Sequence, residues 1–315
     1  MDISKKQFVL GIKPTKDKAI DNILLINNEK ELLVSFKNYG FIYIYNLTTF
    51  EITSKIKFPN ESKSITYNIQ LKDKRLAHSS HDKNVYITKQ KTNNEYVIDE
   101  ILKGHDGIIL KVIQLQNEQI CSCSHDKTIK IWEKNENKKF VLKYNLRDSN
   151  ECFFSVIEIT ENIIASTSCD MDEIDEVNQQ FCKFWKINEQ KSFNFISSNS
   201  MCLWNNNFIK INKNYFAISG TNKIIIILFE NENSIKTNIF SFEGGYYLTI
   251  FKMKNNNFLI SNSNGSVFEL KFNNETFEDV AIKKNIHSDF VTSFAELNNG
   301  ILFSASDDGT IKIFI

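Results

Sequence analysis

The feature that most constrains this chain is a six-residue stretch of apolar and small side chains that recurs seven times. The copies begin at residues 31, 75, 119, 163, 215, 258 and 301, so they are separated by 44, 44, 44, 52, 43 and 43 residues. A period of this length is typical of arrays in which each repeat is one supersecondary unit. Seven such units account for all 315 residues, and residues 1–315 are therefore predicted to form one repeat domain.

The runs around each stretch predict strands and no helix. A short polar turn follows each stretch, and after it comes a second run rich in Ile, Val, Phe and Tyr, such as FIYIY, TIKIW or IIIIL. Runs of this composition that are too short for helices indicate strands. A third run precedes each stretch and a fourth links successive units, and four strands in about 43 residues are the sheet of one propeller blade. The sequence thus predicts an all-β, seven-bladed β-propeller with four-stranded antiparallel blades, whose third strands end near residues 45, 88, 132, 185, 228, 270 and 314.

The two ends of the chain predict how the last blade is completed. The seventh unit stops at Ile315, directly after its third strand, and so lacks a fourth. The amino-terminal run at 7–13 is the spare strand. We expect it to pair beside residues 311–314, which closes the ring and removes two exposed sheet edges.

Charge and cysteine content narrow the classes of partner and compartment. The chain has 38 Lys and Arg against 38 Asp and Glu, a formal net charge of zero. This removes the long-range field that binders of nucleic acid or anionic membranes generally use, so neither partner is expected. The amino terminus carries no secretory signal and the six cysteines form no CxxC pair. Free thiols and a cytoplasmic location are predicted, and nuclear or cytoskeletal residence is equally allowed.

One unit carries a motif that identifies the repeat. Unit three has Gly104 and His105, followed by Ser124, Asp126 and Trp132 in that order. This pattern resembles the WD-repeat (WD40) β-propeller family. The resemblance implies that the His, Ser, Asp and Trp side chains form one buried hydrogen-bonded chain, a structural tetrad that fixes the register of the blade.

The other units keep less of this motif. Unit seven is similar through His287, Ser306 and Asp308, but Phe314 replaces the Trp and cannot donate a hydrogen bond. Units two and four retain only two members each, which are Ser80 with Asp82 and Ser168 with Trp185. The period of the family therefore covers the whole chain, whereas its motif covers two or three blades.

The sequence predicts no catalytic residue, no metal site and no cofactor. The inner column expected to face the central channel contains neither an acid nor a histidine; it comprises Leu24, Tyr67, Lys111, Ser155, Asn207, Thr249 and Ser293. No GxSxG, HExxH or phosphate-binding glycine motif is present. The pairs 81–82, 125–126 and 307–308 could be mistaken for acid–base dyads, but they recur at one turn of the repeat, which favours a structural role.

Resemblance to the family implies that partners dock on the rim of loops at one face. One rim position per unit can be counted from the repeat, and in unit two it is Ser64. The first member of each turn pair is expected to point outward at the mouth of the ring. The predicted partner-binding residues are Ile108, Trp204, Tyr246, Tyr247 and Phe290 on the rim, and His81, His125 and Asp307 in the turns. The alternative is that the aromatic rings pack beneath their own loops.

A second candidate surface is an insertion in unit four, residues 169–180. It is the most acidic segment of a neutral chain, with Asp172, Glu173, Asp175 and Glu176 among its residues. Its spacing lacks the central glycine and further ligands of a calcium loop. A solvated loop is one interpretation; the other is a site for a basic peptide.

These observations predict a non-catalytic scaffold that binds other proteins or peptides on its rim face, within a larger complex. The alternative is a substrate receptor that presents a peptide or modified protein to a separate ubiquitin ligase or modifying enzyme. A propeller hydrolase is the third hypothesis and is disfavoured by the inner column.

Overall fold

The computed structural model of the chain describes residues 8–12, 18–92, 94–147, 151–169, 180–198, 208–219, 221–283 and 285–315. These residues form 27 strands and contain no α-helix, so none of the described segments is a helix that could span a membrane. Every described strand pairing is antiparallel. The chain divides into two compact units, a terminal unit (Met1–Ile23 with Ser200–Ile315) and a central unit (Leu24–Asn199).

The central unit contains blades one to four, each a sheet of four strands in chain order. The first four residues of β2 belong to the terminal unit. The strands of blade one are β2 (Ile20–Ile26), β3 (Glu31–Phe36), β4 (Phe41–Asn46) and β5 (Ile52–Lys57). Those of blade two are β6 (Ile65–Gln70), β7 (Leu76–Ser80), β8 (Val85–Thr92) and β9 (Glu95–Leu102). Blade three has β10 (Ile109–Gln114), β11 (Ile120–Ser124), β12 (Ile129–Lys134) and β13 (Phe140–Leu146). Blade four has β14 (Cys152–Thr160), β15 (Ile163–Cys169), β16 (Gln180–Lys186) and β17 (Lys191–Ser198).

The terminal unit contains blades five to seven. Blade five consists of β18 (Phe208–Lys210), β19 (Tyr215–Ser219), β20 (Thr221–Asn231) and the first part of β21 (Ser234–Lys252). Blade six begins with the rest of β21 and continues with β22 (Phe258–Asn262), β23 (Val267–Asn273) and β24 (Thr276–Lys283). A single 19-residue strand therefore serves two blades, pairing with β20 in one and with β22 in the other. Blade seven consists of β25 (Val291–Glu296), β26 (Leu302–Ser306), β27 (Ile311–Phe314) and β1 (Phe8–Ile12).

The predicted pairing of the chain ends is confirmed. β1 lies antiparallel to β27, with Phe8 opposite Phe314 and Ile12 opposite Ile311. The amino-terminal strand thus covers the outer edge of β27 and is the fourth strand of blade seven. The third strands end at or up to four residues beyond the predicted positions, the largest difference being Thr92 in blade two.

The recurring stretch of apolar and small residues forms the second strand of each blade. β7, β11, β22 and β26 are buried along their entire length. A strand with sheet partners on both edges and neighbouring blades on both faces has no solvent side, so its residues do not alternate between apolar and polar. The hydrophobic clusters lie between successive sheets, as where Leu115 and Ile131 of blade three meet Phe153 and Trp185 of blade four.

A bulge recurs at the start of the first strand and turns one residue per blade. The register between first and second strands shifts between residues 65 and 67, 109 and 111, 153 and 155, 247 and 249, and 291 and 293. Bulges bend a strand and redirect the side chain that follows. The residues after the shift are Tyr67, Lys111, Ser155, Thr249 and Ser293, so these five members of the predicted inner column occupy equivalent positions.

Candidate functional site

A chain of hydrogen bonds crosses blade three near the turn between β11 and β12. His105 Nδ1 lies 2.7 Å from Asp126 Oδ2, and His105 Nε2 lies 2.8 Å from Ser122 Oγ. The Trp132 indole N–H donates to the same Ser122 oxygen at 3.0 Å. Because a carboxylate only accepts, Nδ1 of His105 carries the hydrogen and Nε2 accepts from Ser122. Four side chains from three segments of the blade are thus joined.

The environment of this chain fixes its protonation. Burial lowers the pKa of His105, an effect that the hydrogen bond to Asp126 offsets in part, so the imidazole is neutral at pH 7. Burial opposes ionisation of Asp126, but hydrogen bonds from His105, Thr128 and the Asp106 backbone outweigh it and hold the pKa of that carboxyl below its usual range. The carboxylate is therefore an acceptor of several hydrogen bonds rather than a proton donor, which suits a structural role.

The prediction that Ser124 belongs to the tetrad is wrong by two residues, because Ser122 takes that place. His105 and Trp132 are hydrogen-bonded to Ser122 instead, whereas the Ser124 hydroxyl accepts the backbone N–H of Asp126 at 3.0 Å and so holds the turn. Ser122 and Ser124 point to the same face of β11, because side chains two apart in a strand share a face. Ser124 ends the strand, whereas Ser122 lies deeper, level with the histidine and the indole.

Blade seven repeats this arrangement without the indole. His287 Nδ1 lies 2.9 Å from Asp308 Oδ2 and His287 Nε2 lies 2.8 Å from Ser304 Oγ. Ser304 therefore takes the place predicted for Ser306, whose hydroxyl accepts the Asp308 backbone N–H at 3.1 Å. Phe314 is buried, and its ring cannot donate the hydrogen bond of an indole.

Blades two and four keep other parts of the network. In blade four the Trp185 indole donates to Ser166 at 2.8 Å, whereas Ser168 donates to Glu151 at 2.7 Å. Glu151 in turn pairs with Lys183 at 3.1 Å. In blade two, His78 fills the position of the deep serine.

His78 is held between two polar side chains of its own blade. Its ring nitrogens lie 2.8 Å from Asn68 Oδ1 and 2.9 Å from Thr88 Oγ1. Burial lowers the pKa of His78 to about 3, so the ring is uncharged at neutral pH. Asp82 in the following turn accepts the Tyr86 hydroxyl at 2.5 Å, so this blade anchors its turn aspartate on a tyrosine of β8.

The structure brings the predicted turn and rim residues together in pairs. The backbone N–H of His81, His125 and Asp307 donates to the carbonyl of Ser64, Ile108 and Phe290, respectively, at 2.9–3.0 Å. The same bond in three blades means that the residue before each tetrad aspartate is adjacent to the rim residue of its own blade. Counting positions along the sequence does not show that the turn residues and the rim residues are adjacent.

Two turn histidines of the central unit, His81 and His125, are partly buried, and the charge of one affects the pKa of the other. Burial lowers the pKa of both, and the charges of His125 and Lys63 lower the pKa of His81 further. The His125 ring packs edge-on against Phe154 of blade four at 5.1 Å, and the Cys152 thiol donates to the His125 carbonyl. The His125 Nε2 atom is buried without a hydrogen-bond partner among the described residues.

The candidate residues differ in exposure. Phe290 is 37% exposed, which leaves its ring available on the rim of blade seven. Ile108 and Asp307 are partly exposed. Tyr246 and Tyr247 lie in β21, and nothing further is described of their side chains.

Five predicted residues lie outside the described residues, so their proposed roles stay predictions: Trp204, Asp172, Glu173, Asp175 and Glu176. In the part of the chain that the structure describes, no three His, Cys, Asp or Glu side chains are grouped so as to hold a metal ion.

Comparison with known proteins agrees with this geometry. Residues 98–133 and 282–314 match the family model of the WD domain, G-beta repeat. These two segments contain the histidine, aspartate and third strand of blades three and seven, the blades in which the histidine–aspartate hydrogen bond forms. No curated protein matches the chain.

Among solved structures, the chain is similar to the crystal structure of the WD40 β-propeller domain of Doa1. The TM-score is 0.75 at 14% sequence identity, over 99% of this chain and 97% of that chain. Likeness at this identity shows the fold alone. Together with the seven four-stranded antiparallel blades, two of which share β21, it confirms the predicted fold class, an all-β seven-bladed β-propeller.

Proposed function

We propose that this seven-bladed β-propeller, two of whose repeats match the WD-domain model, is a non-catalytic scaffold that binds protein partners where its rim and turn residues meet. WD40 propellers generally mediate protein–protein interactions, and the fold is typically non-catalytic. The fold alone does not specify a partner, so the proposal depends on the residues at the blade ends.

The observation that carries the proposal is the repeated bond between turn and rim. In blades two, three and seven it joins one turn residue to one rim residue, and so places a similar pair at the end of each blade. Both members are partly exposed in blades three and seven, whereas Ser64 of the blade-two pair is buried. The side chains at these positions differ, as with His125 beside Ile108 and Asp307 beside Phe290. A constant backbone with variable side chains suits recognition, because a rigid sheet holds the contact residues at little entropic cost.

Phe290 is the strongest anchor on this surface. Large aromatic side chains bury much apolar area at an interface and are frequent at its energetic centre. Phe290 is exposed, and its backbone N–H is held by the Asp289 carboxylate at 2.8 Å, so the ring is presented by an ordered loop.

The test compares exposed apolar residues at two places in the terminal unit. Phe290→Ala removes the rim anchor, whereas Ile282→Ala removes a residue that is 47% exposed on the outer strand β24. Tagged parent and variants are recovered from the source cell, and the co-purifying proteins are quantified. We expect Phe290→Ala to lose partners that Ile282→Ala retains, with both melting temperatures near that of the parent because each side chain is exposed.

Two results bear on the alternatives. Loss of the same partners from both variants, or from neither, would contradict docking on the rim. Recovery of ligase or modifying-enzyme subunits together with their substrate would favour the substrate-receptor hypothesis over a simple scaffold.

A further inference from the structure

One buried lysine of the central unit carries a charge that no described residue neutralises. Lys111 is 8% exposed, and its ammonium donates to Ser155 Oγ at 3.0 Å. It also lies 5.3 Å from the centre of the Tyr67 ring. These are its polar contacts among the described residues, so two of the three ammonium hydrogens have no acceptor there.

Comparison with the other buried lysines of this unit shows that Lys111 differs. Lys183 is also 8% exposed, but it pairs with Glu151 at 3.1 Å. Lys130 is 5% exposed; it donates to Asn145 at 2.9 Å, and the carboxylates of Asp126 and Asp106 favour its charge. Buried charges are ordinarily paired in this way, because the loss of hydration costs several kcal/mol per ion.

The described groups around Lys111 supply no negative charge at neutral pH. Cys123, its cross-strand neighbour, is the titratable group that contributes to the pKa of Lys111 through its charge. Burial raises the pKa of this thiol to about 12, so it is neutral at pH 7. Burial also raises the pKa of Tyr67. Burial lowers the pKa of Lys111 itself to about 8, so about nine in ten molecules still carry the ammonium at pH 7.

The position of Lys111 links it to the candidate docking surface. Tyr67, Lys111 and Ser155 each follow the bulge in the first strand of successive blades, and Lys111 interacts with both of the other two. The register places Ile109 opposite Ser124 and Lys111 opposite Cys123. Lys111 therefore lies at the same end of blade three as the turn of His125.

We propose that Lys111, flanked by Tyr67 and Ser155, binds a carboxylate of the peptide that docks on blades two to four. This inference rests on the proposed function, since it names the chemistry of the partner. The ammonium supplies the charge, and the Ser155 hydroxyl orients it. A single carboxylate matches one lysine, whereas phosphate dianions are generally held by arginine clusters and several donors.

The test is a peptide selection with matched lysine variants. Random 12-residue peptides are selected on the parent protein, on Lys111→Met and on Lys130→Met. The strongest peptide is then synthesised with each Asp or Glu changed to its amide, with the terminal carboxyl amidated, and with phosphoserine at the acidic position. Binding is measured by fluorescence anisotropy, and folding by circular dichroism. Amide substitution within the chain and at its terminus distinguishes a side-chain carboxylate from the terminal one.

We expect the parent and Lys130→Met to enrich carboxylates at one position, and Lys111→Met to lose that enrichment. Affinity for the best peptide should fall roughly 10- to 100-fold in Lys111→Met, the range of a charge-assisted hydrogen bond. Lys111→Gln serves if the methionine variant fails to fold. On the parent alone, affinity should fall about tenfold between pH 7 and pH 9, as the ammonium of the free protein is lost.

Several results would contradict this inference. Selected peptides without acidic enrichment, equal binding by Lys111→Met, or a flat pH profile would overturn this inference and leave rim docking intact. Stronger binding of the phosphoserine peptide would overturn the carboxylate assignment. If the parent selects no peptide and the recovery experiment finds no rim-dependent partner, the proposed function itself fails, and the inference with it.

Discussion

Replacing Ser122 by Ala should destabilise the protein more than replacing Ser124, although the sequence motif points to Ser124. The Ser122 hydroxyl holds two buried groups, His105 Nε2 at 2.8 Å and the Trp132 indole N–H at 3.0 Å. A buried donor or acceptor left without a partner costs about 1–3 kcal/mol. With two such groups, the free energy of unfolding should fall by about 2–6 kcal/mol in Ser122→Ala.

Two matched substitutions, Ser124→Ala and Ser304→Ala, should lower the free energy of unfolding by less. Ser124→Ala removes one hydrogen bond, from the Asp126 backbone in a partly exposed turn, and should cost about 1 kcal/mol. Ser304→Ala is the same change in blade seven, where Phe314 replaces the tryptophan. It leaves only the His287 nitrogen unpaired, so it should cost about 1–3 kcal/mol.

The assay is urea denaturation monitored by far-ultraviolet circular dichroism. The dependence of the unfolding free energy on urea concentration should be the same in all variants, which checks that each unfolds in the same transition. Adding Trp132→Phe to Ser122→Ala completes a double-mutant cycle that isolates the indole bond, for which we expect a coupling of about 1 kcal/mol. A cost for Ser124→Ala equal to or above that of Ser122→Ala, or zero coupling in the cycle, would refute the assignment of Ser122.

Three further predictions concern acid stability, the chain ends and the thiols. Burial holds the pKa of His78 at about 3 in the folded state against about 6.5 unfolded, so the stability of the protein should be full above pH 6.5 and decline as the pH falls and the unfolded histidine binds a proton. This effect should cost the parent roughly 2 kcal/mol between pH 7 and pH 5. His78→Ser, which restores the serine of the other blades, should remove that loss, as measured by urea titrations at pH 7 and pH 5. Deletion of residues 1–13 uncovers the edge of β27 and should lower both solubility and the melting temperature, whereas a cooperative transition at the parent temperature would show that β1 contributes nothing. The buried thiols of Cys121 and Cys123, whose pKa values burial raises, should react with a disulfide reagent at pH 8 only as fast as the protein opens; immediate reaction in native buffer would contradict their burial.

The hydrogen-bonded network shows where sequence analysis reached its limit. His105, Asp126 and Trp132 are correctly placed by motif order, because each type has few occurrences and a fixed distance to the next. The serine is ambiguous, because Ser122 and Ser124 lie on one face of one strand. Only the depth of the histidine and indole beside β11 decides between them. A signal was available in the recurrence of the deep serine at 166 and 304, but the sequence alone offers no reason to prefer it over 168 and 306.

The candidate site shows the same limit more strongly. Lys111 stands in the predicted inner column, whose seven residues include no acid and no histidine. The sequence cannot show that this lysine is buried between Tyr67 and Ser155, which are each 44 residues away. It also cannot show that His125 and Ile108 are joined by a backbone bond, since this depends on where β10 and β11 begin to pair.

The sequence by itself determined the number of blades, the four strands of each and the pairing of the first strand with the last. These follow from local composition and from a period that repeats seven times, so each copy reinforces the same prediction. The tertiary structure alone decided which serine joins the histidine, which buried lysine has no carboxylate partner among the described residues, and which loop residues meet. Those features depend on bulges, register and contacts between neighbouring blades, where a shift of one or two residues changes the partner while leaving the pattern of the sequence unchanged.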